Sequence, residues 1–454
     1  MNNELWQKIL EFDFDSSGGD YPFTLRLAAE NAWTDYFTQQ ALLEYRKFMY
    51  LAATANAMVC PSEIVDIVWH QHLIFTQSYK EFCILMGKEI QHIPSTRSKT
   101  EAATFIDGAM RTSELYNASF GAQPKEIWTE QSMLGGLHLK PSALSPETFL
   151  MFAIPAVFLL LGPTHFFLKP FYIHLNNPTF PILAVALCII VIVTLRDYNK
   201  SSLKRFLNSL EGNSFLFNLT PFELVYLKHG NINAVVNGCL GELLYEELAE
   251  FDNQLLFSVK ENRPVQEKHM RLAMEAIVDY KEISHGRLLY QLTNKPLFNN
   301  IKKSMDTLSA YVSGSAKMVN LFCLNFVILA STALLIYTRV LTGLMLGKPI
   351  FIITAIATVF TIVAIFHLKT LLVNPLQKTL PSHYLDTKLS TTEIHAEWQW
   401  LYLLKGPALL NAGLLMVAYP DFKNNDSGSS GSSCSSSSCG SSCGSSCGGC
   451  GGGD

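Results

Sequence analysis

Charge is scarce in this chain: Asp, Glu, Lys and Arg make up 16% of its 454 residues, and apolar residues 49%. A soluble domain usually carries charge on about a quarter of its residues. A chain of this length holds two or three domains, and the deficit points to membrane segments rather than to a purely soluble protein. A basic surplus is missing too. The net charge is −4 with both signs interspersed, so no long-range field recruits nucleic acid or an acidic surface. Motifs with strict chemical spacing are also absent: there is no HExxH, no phosphate-binding loop, no nucleophile elbow and no paired CxxC sites. The opening MNNELWQKILEFDFD lacks both a positive n-region and an apolar h-region. No secretory signal is therefore expected ahead of the first domain, and the N-terminus is expected in the cytoplasm.

What the chain does have is four apolar runs, Phe149–Leu168, Thr179–Leu195, Leu321–Val340 and Ile350–Leu368. Each approaches the roughly 20 residues that cross a bilayer as a helix. They come in two closely spaced pairs and read as hairpins over residues 149–195 and 319–368, a pattern that a buried soluble core explains less well. Apart from Arg339, placed at a helix end, no Asp, Glu, Lys or Arg falls within them, which disfavours a channel or transporter. Asn320, Asn325 and His165 read as helix-packing or interfacial groups. Cations gather at Arg196, Lys200, Lys204, Arg205, Lys302, Lys303, Lys317, Lys369 and Lys378, whereas the two short loops hold Lys169 and Lys348. The bias of Lys and Arg towards the inner face then places both termini and the central region in the cytoplasm.

Residues 1–133 read as a mostly helical domain, followed by a linker over 134–148. Apolar positions at three and four spacing predict helix over Pro22–Ala55. CPSEIVD announces a second helix, with Pro61 at its first position and Glu63 and Asp66 at the positive end of its dipole. The stretch VDIVWHQHL, Val65–Leu73, carries two histidines. At 100° per residue Ile64, Val68, His72, Phe75, Tyr79 and Phe82 share one face, and Asp66 and His70 lie together on another. His70 and His72 are then about 200° apart and cannot chelate one ion, because helical ligand pairs need a spacing of three or four. His72 reads as a core histidine bonded to a neighbour. Two readings stay open for Asp66 and His70. One is a solvent-side pair, the other a site for zinc or a similar divalent ion completed by Glu30, Cys83 or His92.

With these residues in view, the N-terminal region resembles the glycine-rich domain-containing protein family. The likeness covers about 110 residues and rests on Asp66, Trp69, His70, His72, Tyr79, Cys83, His92, Pro94, Phe120, Gly121 and Trp128. It implies a helical module and assigns no reaction.

Between the hairpins, residues 196–318 read as a small, mostly helical cytoplasmic domain. Thr220, Pro221 and Glu223 form a capping-box arrangement, and Gly230 closes that helix. INAVVNGCLGELLYEELAEF reads as helix and NQLLFSV as a strand, a winged-helix-like order. The would-be reading helix carries Glu242, Glu246, Glu247 and Glu250 and no cation, which argues against nucleic acid. The stretch Leu219–Leu227, with Leu219, Pro221, Glu223 and Tyr226, resembles the TIGR04222 family of bacterial membrane proteins. That likeness implies a bacterial inner-membrane protein of uncharacterised function.

Residues 369–426 form a further cytoplasmic segment, and 427–454 are a Ser/Gly/Cys tail expected to be a disordered coil. It holds Cys434, Cys439, Cys443, Cys447 and Cys450. An odd count on a reducing side disfavours disulfides. Specific metal binding has only the Cys447 and Cys450 spacing in its favour, and covalent modification of the tail is a third reading.

The expected fold class is mainly α: a helical N-terminal domain, four transmembrane helices in two hairpins, a small domain between them and the tail. The expected role is interaction or scaffolding at the bacterial inner membrane, with membrane lipid and proteins as partners and no nucleic acid. An enzyme or metal-binding protein using Asp66, His70 and His92 is one alternative, and a carrier of a modified tail is the other.

Overall fold

The computed structural model describes residues 2–16, 19, 21–93, 99–175, 179–210, 215–252, 254–261, 263–388 and 397–420. The five tail cysteines and Pro94 lie outside the described residues.

The N-terminal region folds as α1 (Asn3–Glu11), α2 (Phe23–Asn31), α3 (Asp35–Thr54), α4 (Glu63–Ile74), α5 (Thr76–Met86), α6 (Lys99–Phe120) and α7 (Lys125–Trp128). Two expected helices are each broken in two. Ala32 takes a left-handed conformation (φ 53°) and Thr34 then caps α3 by accepting from the Phe37 amide, so a local side-chain bond interrupts the periodic run. The second helix breaks at Phe75 (ψ 64°), which assigns Tyr79 and Phe82 to α5. Pro61 does not occupy the first turn, because Ser62 is the cap and accepts from the Val65 amide.

Among the described residues, four single helices are long and apolar enough to cross a membrane: α8 (Pro146–His174), α9 (Thr179–Asn208), α15 (Ala316–Met345) and the first part of α16 (Phe351–Gln377). α15 packs on the other three. Arg339 is 4% exposed and does more than end a helix: it donates to the carbonyls of Tyr172 (2.7 Å) and Leu175 (3.0 Å) at the end of α8. The orphan carbonyls of a helix C-terminus need such donors. Nearer the other end, Asn325 exchanges two 2.9 Å hydrogen bonds with Asn199 of α9, and His367 of α16 lies 3.0 Å from Asn325. Such bonds hold helices together where lipid offers no hydrophobic drive between them.

The central domain comprises α10 (Pro221–His229), α11 (Ile232–Tyr245), β1 (Ala249–Phe251), β2 (Leu256–Val259), α12 (Lys268–Tyr280), β3 (Glu282–Ser284), α13 (His285–Thr293) and α14 (Pro296–Ser313). The strands form an antiparallel sheet in the order β1-β2-β3, with Phe257 opposite both Phe251 and Ile283. The end of the expected helix is instead strand, because Glu247 adopts a left-handed conformation (φ 57°) and turns the chain. Glu242 does not join a reading face. It is 7% exposed and lies 2.8 Å from His269 of α12.

After α16 the chain continues through α17 (Thr379–Lys388), α18 (Trp398–Lys405) and α19 (Ala412–Ala418). α18 and the turn after it lie against α11 at Gly238 and Gly241. A Cβ on Gly241 would come within 2.5 Å of Leu410 and 2.8 Å of Trp398.

One hydrophobic cluster runs from the N-terminal helices into the central domain and on to α18 and α19. Polar bonds cross the same seam: Lys303 donates to Ala29 O (2.6 Å), and Lys268 pairs with Asp15 (2.9 Å). Glu223 sits on it, 2% exposed. One of its carboxylate oxygens closes the capping box with the Thr220 amide (2.7 Å), while the other accepts from the Asp35 amide at the start of α3 (3.2 Å).

Burial pushes the Glu223 carboxyl up to about 7, against the hydrogen bonds from Thr220 and Asp35, which lower it. The unfolded carboxyl titrates near 4.3. Between these values the folded state binds more protons, so Glu223's contribution to stability is complete below the unfolded value and is lost as pH rises through about 7. The stability difference between the wild type and Glu223→Gln should therefore shift against the wild type from about pH 5 to about pH 8, read from thermal midpoints of the two proteins side by side. A difference that stays constant over this range would contradict the assignment. Separately, Gly241→Ala should destabilise by about 1–3 kcal/mol through overpacking, read from denaturant midpoints, whereas the exposed Gly286→Ala should cost less.

Candidate metal centre

The first turns of α4 set Asp66 and His70 four residues apart on one face, where Asp66 Oδ2 lies 3.8 Å from His70 Nδ1. The third member arrives from beyond α5. Gly87, left-handed at φ 70°, ends α5 and lets the chain double back. Trp69 Nε1 donates to the Tyr79 hydroxyl (3.1 Å), which in turn donates to the Ile90 carbonyl. This clamp holds the returning strand of chain against α4. His92 then packs edge-on against Trp69, with ring centroids 4.6 Å apart, and places Nε2 2.9 Å from Asp66 Oδ1.

Ligand atoms of Asp66, His70 and His92 all lie within 4.8 Å of one another. Donors about 2.0–2.2 Å from a tetrahedral zinc ion lie roughly 3.3 Å apart; here His92 Nε2 stands 2.9 Å from one Asp66 oxygen and His70 Nδ1 3.8 Å from the other. Two imidazoles and one carboxylate suit zinc and neighbouring first-row ions. A cavity of about 370 Å³ adjoins the trio, with Asp66, His92, Trp69, Glu63 and Cys60 in its wall. His70 is 58% exposed and stands outside the cavity lining. The residues fit a three-ligand centre that keeps a position open for water or a second ligand.

Of the other candidate ligands, Glu30 is exposed and pairs with Arg26 (2.8 Å), and Cys83 is buried in the core. His72 points away from the trio. It is fully buried, with Nδ1 2.8 Å from the Tyr45 hydroxyl and Nε2 3.1 Å from Ser78 Oγ. Burial pushes it down to about 3. Trp128 donates to Glu44 (2.7 Å), a fully buried carboxylate that also binds the Tyr116 hydroxyl (2.7 Å) and Lys47 (2.7 Å). Sequence reasoning missed Glu44. Its only signal was the (i, i+3) spacing to Lys47. Phe120 packs on Trp6 and Tyr50, and Gly121 supplies a left-handed turn (φ 85°). In the central motif Leu219 is buried and donates its amide to Tyr384, Pro221 fills the first turn of α10, and Tyr226 donates to Asp306 (2.7 Å). These are packing and capping roles.

His72 binds a proton in the unfolded state near 6.5 and loses that capacity on folding. Its contribution to stability is therefore full above about 6.5 and is lost as pH falls towards 3. His72→Gln should be less stable than the wild type at neutral pH, and the gap should narrow as the pH is lowered through 6 to 4, measured by urea unfolding. A constant gap would mean that the buried histidine is not what titrates.

A family model described as UCP032817-like matches residues 27–115, the segment that holds all three ligand positions. Glycine-rich domain-containing proteins 2 and 1 of Arabidopsis thaliana are each 24% identical over 131 residues, 28% of this chain. The chain covers 16% of the length of each of these relatives. No solved structure matches the chain. The two relatives support the glycine-rich-domain likeness of the N-terminal part. The TIGR04222 likeness of Leu219–Leu227 gains nothing from the match at residues 27–115. What stands is a UCP032817-like region in a mainly helical chain with four helices able to span a membrane.

Proposed function

We propose that this chain is a multi-pass protein of the bacterial inner membrane, with both termini in the cytoplasm. There it displays a single packed helical body as an interaction or scaffolding surface, and that body binds a divalent transition metal at Asp66, His70 and His92. The convergence of these three residues beside a cavity carries the reading, since side chains 26 positions apart meet at 2.9 Å. Supporting the membrane placement are the four apolar helices and the gathering of cations on the side of the soluble body. The metal would fix the returning chain to α4 and present an open coordination position to a partner's side chain. A metal-dependent reaction is the second reading. Its specific support is the cavity of about 370 Å³ against the ligands, which has room for a small substrate.

The test is elemental analysis of the full chain purified in detergent, because the N-terminal and central domains share one core. About one equivalent of zinc or a similar ion is expected in the wild type. Asp66→Ala and His92→Ala should lose it, and Cys83→Ala should retain it. A wild type that holds no metal after equilibration with zinc would sink the metal reading and leave the trio as a hydrogen-bonded helix clamp.

A further inference from the structure

The loop end of the helical bundle, opposite the soluble body, carries a second feature. A cavity of about 520 Å³ opens there between the starts of α9 and α16, walled by Phe180, Pro181, Arg339, Gly343, Lys348 and Ile350. Arg339 is nine-tenths buried at its side and Lys348 is exposed at its mouth. Acidic residues are absent from the sequence of both hairpins, between Glu147 and Asp197 and again between Asp306 and Asp386, so this end of the bundle is net positive.

α9 and α16 both start at the loop end and run in the same direction. One turn further along them lies an apolar groove of about 480 Å³, lined by Val185, Ile189 and Val193 on α9 and by Ile356, Val359 and Val363 on α16. Several of its walls face outward, Val359 at 61% and Ile189 at 58% exposure. From Ala355 to Val363 the groove follows α16 for about 12 Å, against a hydrocarbon core about 30 Å thick. A positive pocket at the loop end thus stands above an apolar slot that runs along the outside of the two helices.

We propose that this is a binding site for an anionic glycerophospholipid. Its phosphate sits at Arg339 and Lys348 in the leaflet far from the soluble body, and one acyl chain lies in the α9/α16 groove. Charge complementarity selects the headgroup, and the groove takes the part of one acyl chain nearest it. Arg339 already binds the α8 carbonyls, so a phosphate beside it adds countercharge where the low-dielectric surroundings make charge costly. The inference rests on the four helices lying in a bilayer, as proposed above.

The test is native mass spectrometry of the delipidated full-length protein in detergent, offered equal amounts of phosphatidylglycerol and phosphatidylethanolamine. The wild type should retain phosphatidylglycerol preferentially. Lys348→Ala should reduce that preference about fivefold, the factor associated with one cation near a membrane surface. Val359→Trp should reduce retention of both lipids by filling the groove. Excess inorganic phosphate should leave the lipid in place, whereas displacement would assign the pocket to a free anion and overturn the lipid. No headgroup preference in the wild type, or one that survives Lys348→Ala, would overturn the site. Carbonate extraction of membranes containing each variant separates the two layers of the proposal. A wild type released into the soluble fraction would overturn the bilayer placement and the lipid site together. Retention with no lipid preference would overturn the lipid site alone.

Discussion

The fold hangs on one carboxylate. Glu223 reaches back to cap α10 and forward to accept the first amide of α3, from a position 2% exposed. Removing a charge from water is costly, and burial without partners is worse. Here the hydrogen bonds from Thr220 and Asp35 offset part of the cost, and the raised proton affinity reflects what remains. Two helix N-termini from regions 188 residues apart in sequence share this acceptor. The N-terminal helices therefore cannot pivot independently of the central domain without exposing unsatisfied amides. That joint also fixes the geometry between the Asp66, His70 and His92 trio and the four apolar helices, because a single hydrophobic cluster runs beneath it.

A different rule governs the four apolar helices. In lipid, hydrophobic surfaces would not drive their association, so the few polar groups decide which helix meets which. Among the described residues, α15 takes part in nearly all of the bonds between them. Asn325 binds Asn199 of α9 and approaches His367 of α16, Thr338 meets Thr164 of α8 (3.1 Å), Thr342 meets His165 (3.1 Å), and Arg339 holds the end of α8. One helix thus specifies the arrangement of all four.

Much of this was legible in the residues. Four runs of apolar sequence become four helices of membrane-spanning length, because nothing but a helix satisfies the backbone at that depth. The Thr220–Glu223 capping box and the Gly230 terminator form as their local chemistry dictates, and His72 turns inward as its helical phase requires. The breaks at Ala32 and Phe75 were not legible, since neither carries the glycine or proline that usually marks a boundary. Tertiary packing and a side-chain cap decide them. Nor could spacing select His92 from among Glu30, Cys83 and His92 as the third member of the trio. That choice depends on a return of the chain fixed by Trp69 and Tyr79 through the Ile90 carbonyl, a contact with no pattern in the sequence. The second role of Glu223, capping α3, is invisible for the same reason.

The partnership of Arg339 with α8 has a bearing on how the protein is made. The carbonyl of Leu175 waits for a donor that lies 164 residues downstream. At ribosomal speeds of roughly 5–20 residues per second, that is a delay of about 8–30 s. On the membrane placement proposed above, water or lipid headgroups solvate the end of α8 during that interval. The central domain is synthesised in the same interval. On that placement the four-helix unit is completed only after the central domain has emerged between its halves, which would make the first two helices a client of whatever shelters half-built helices during insertion.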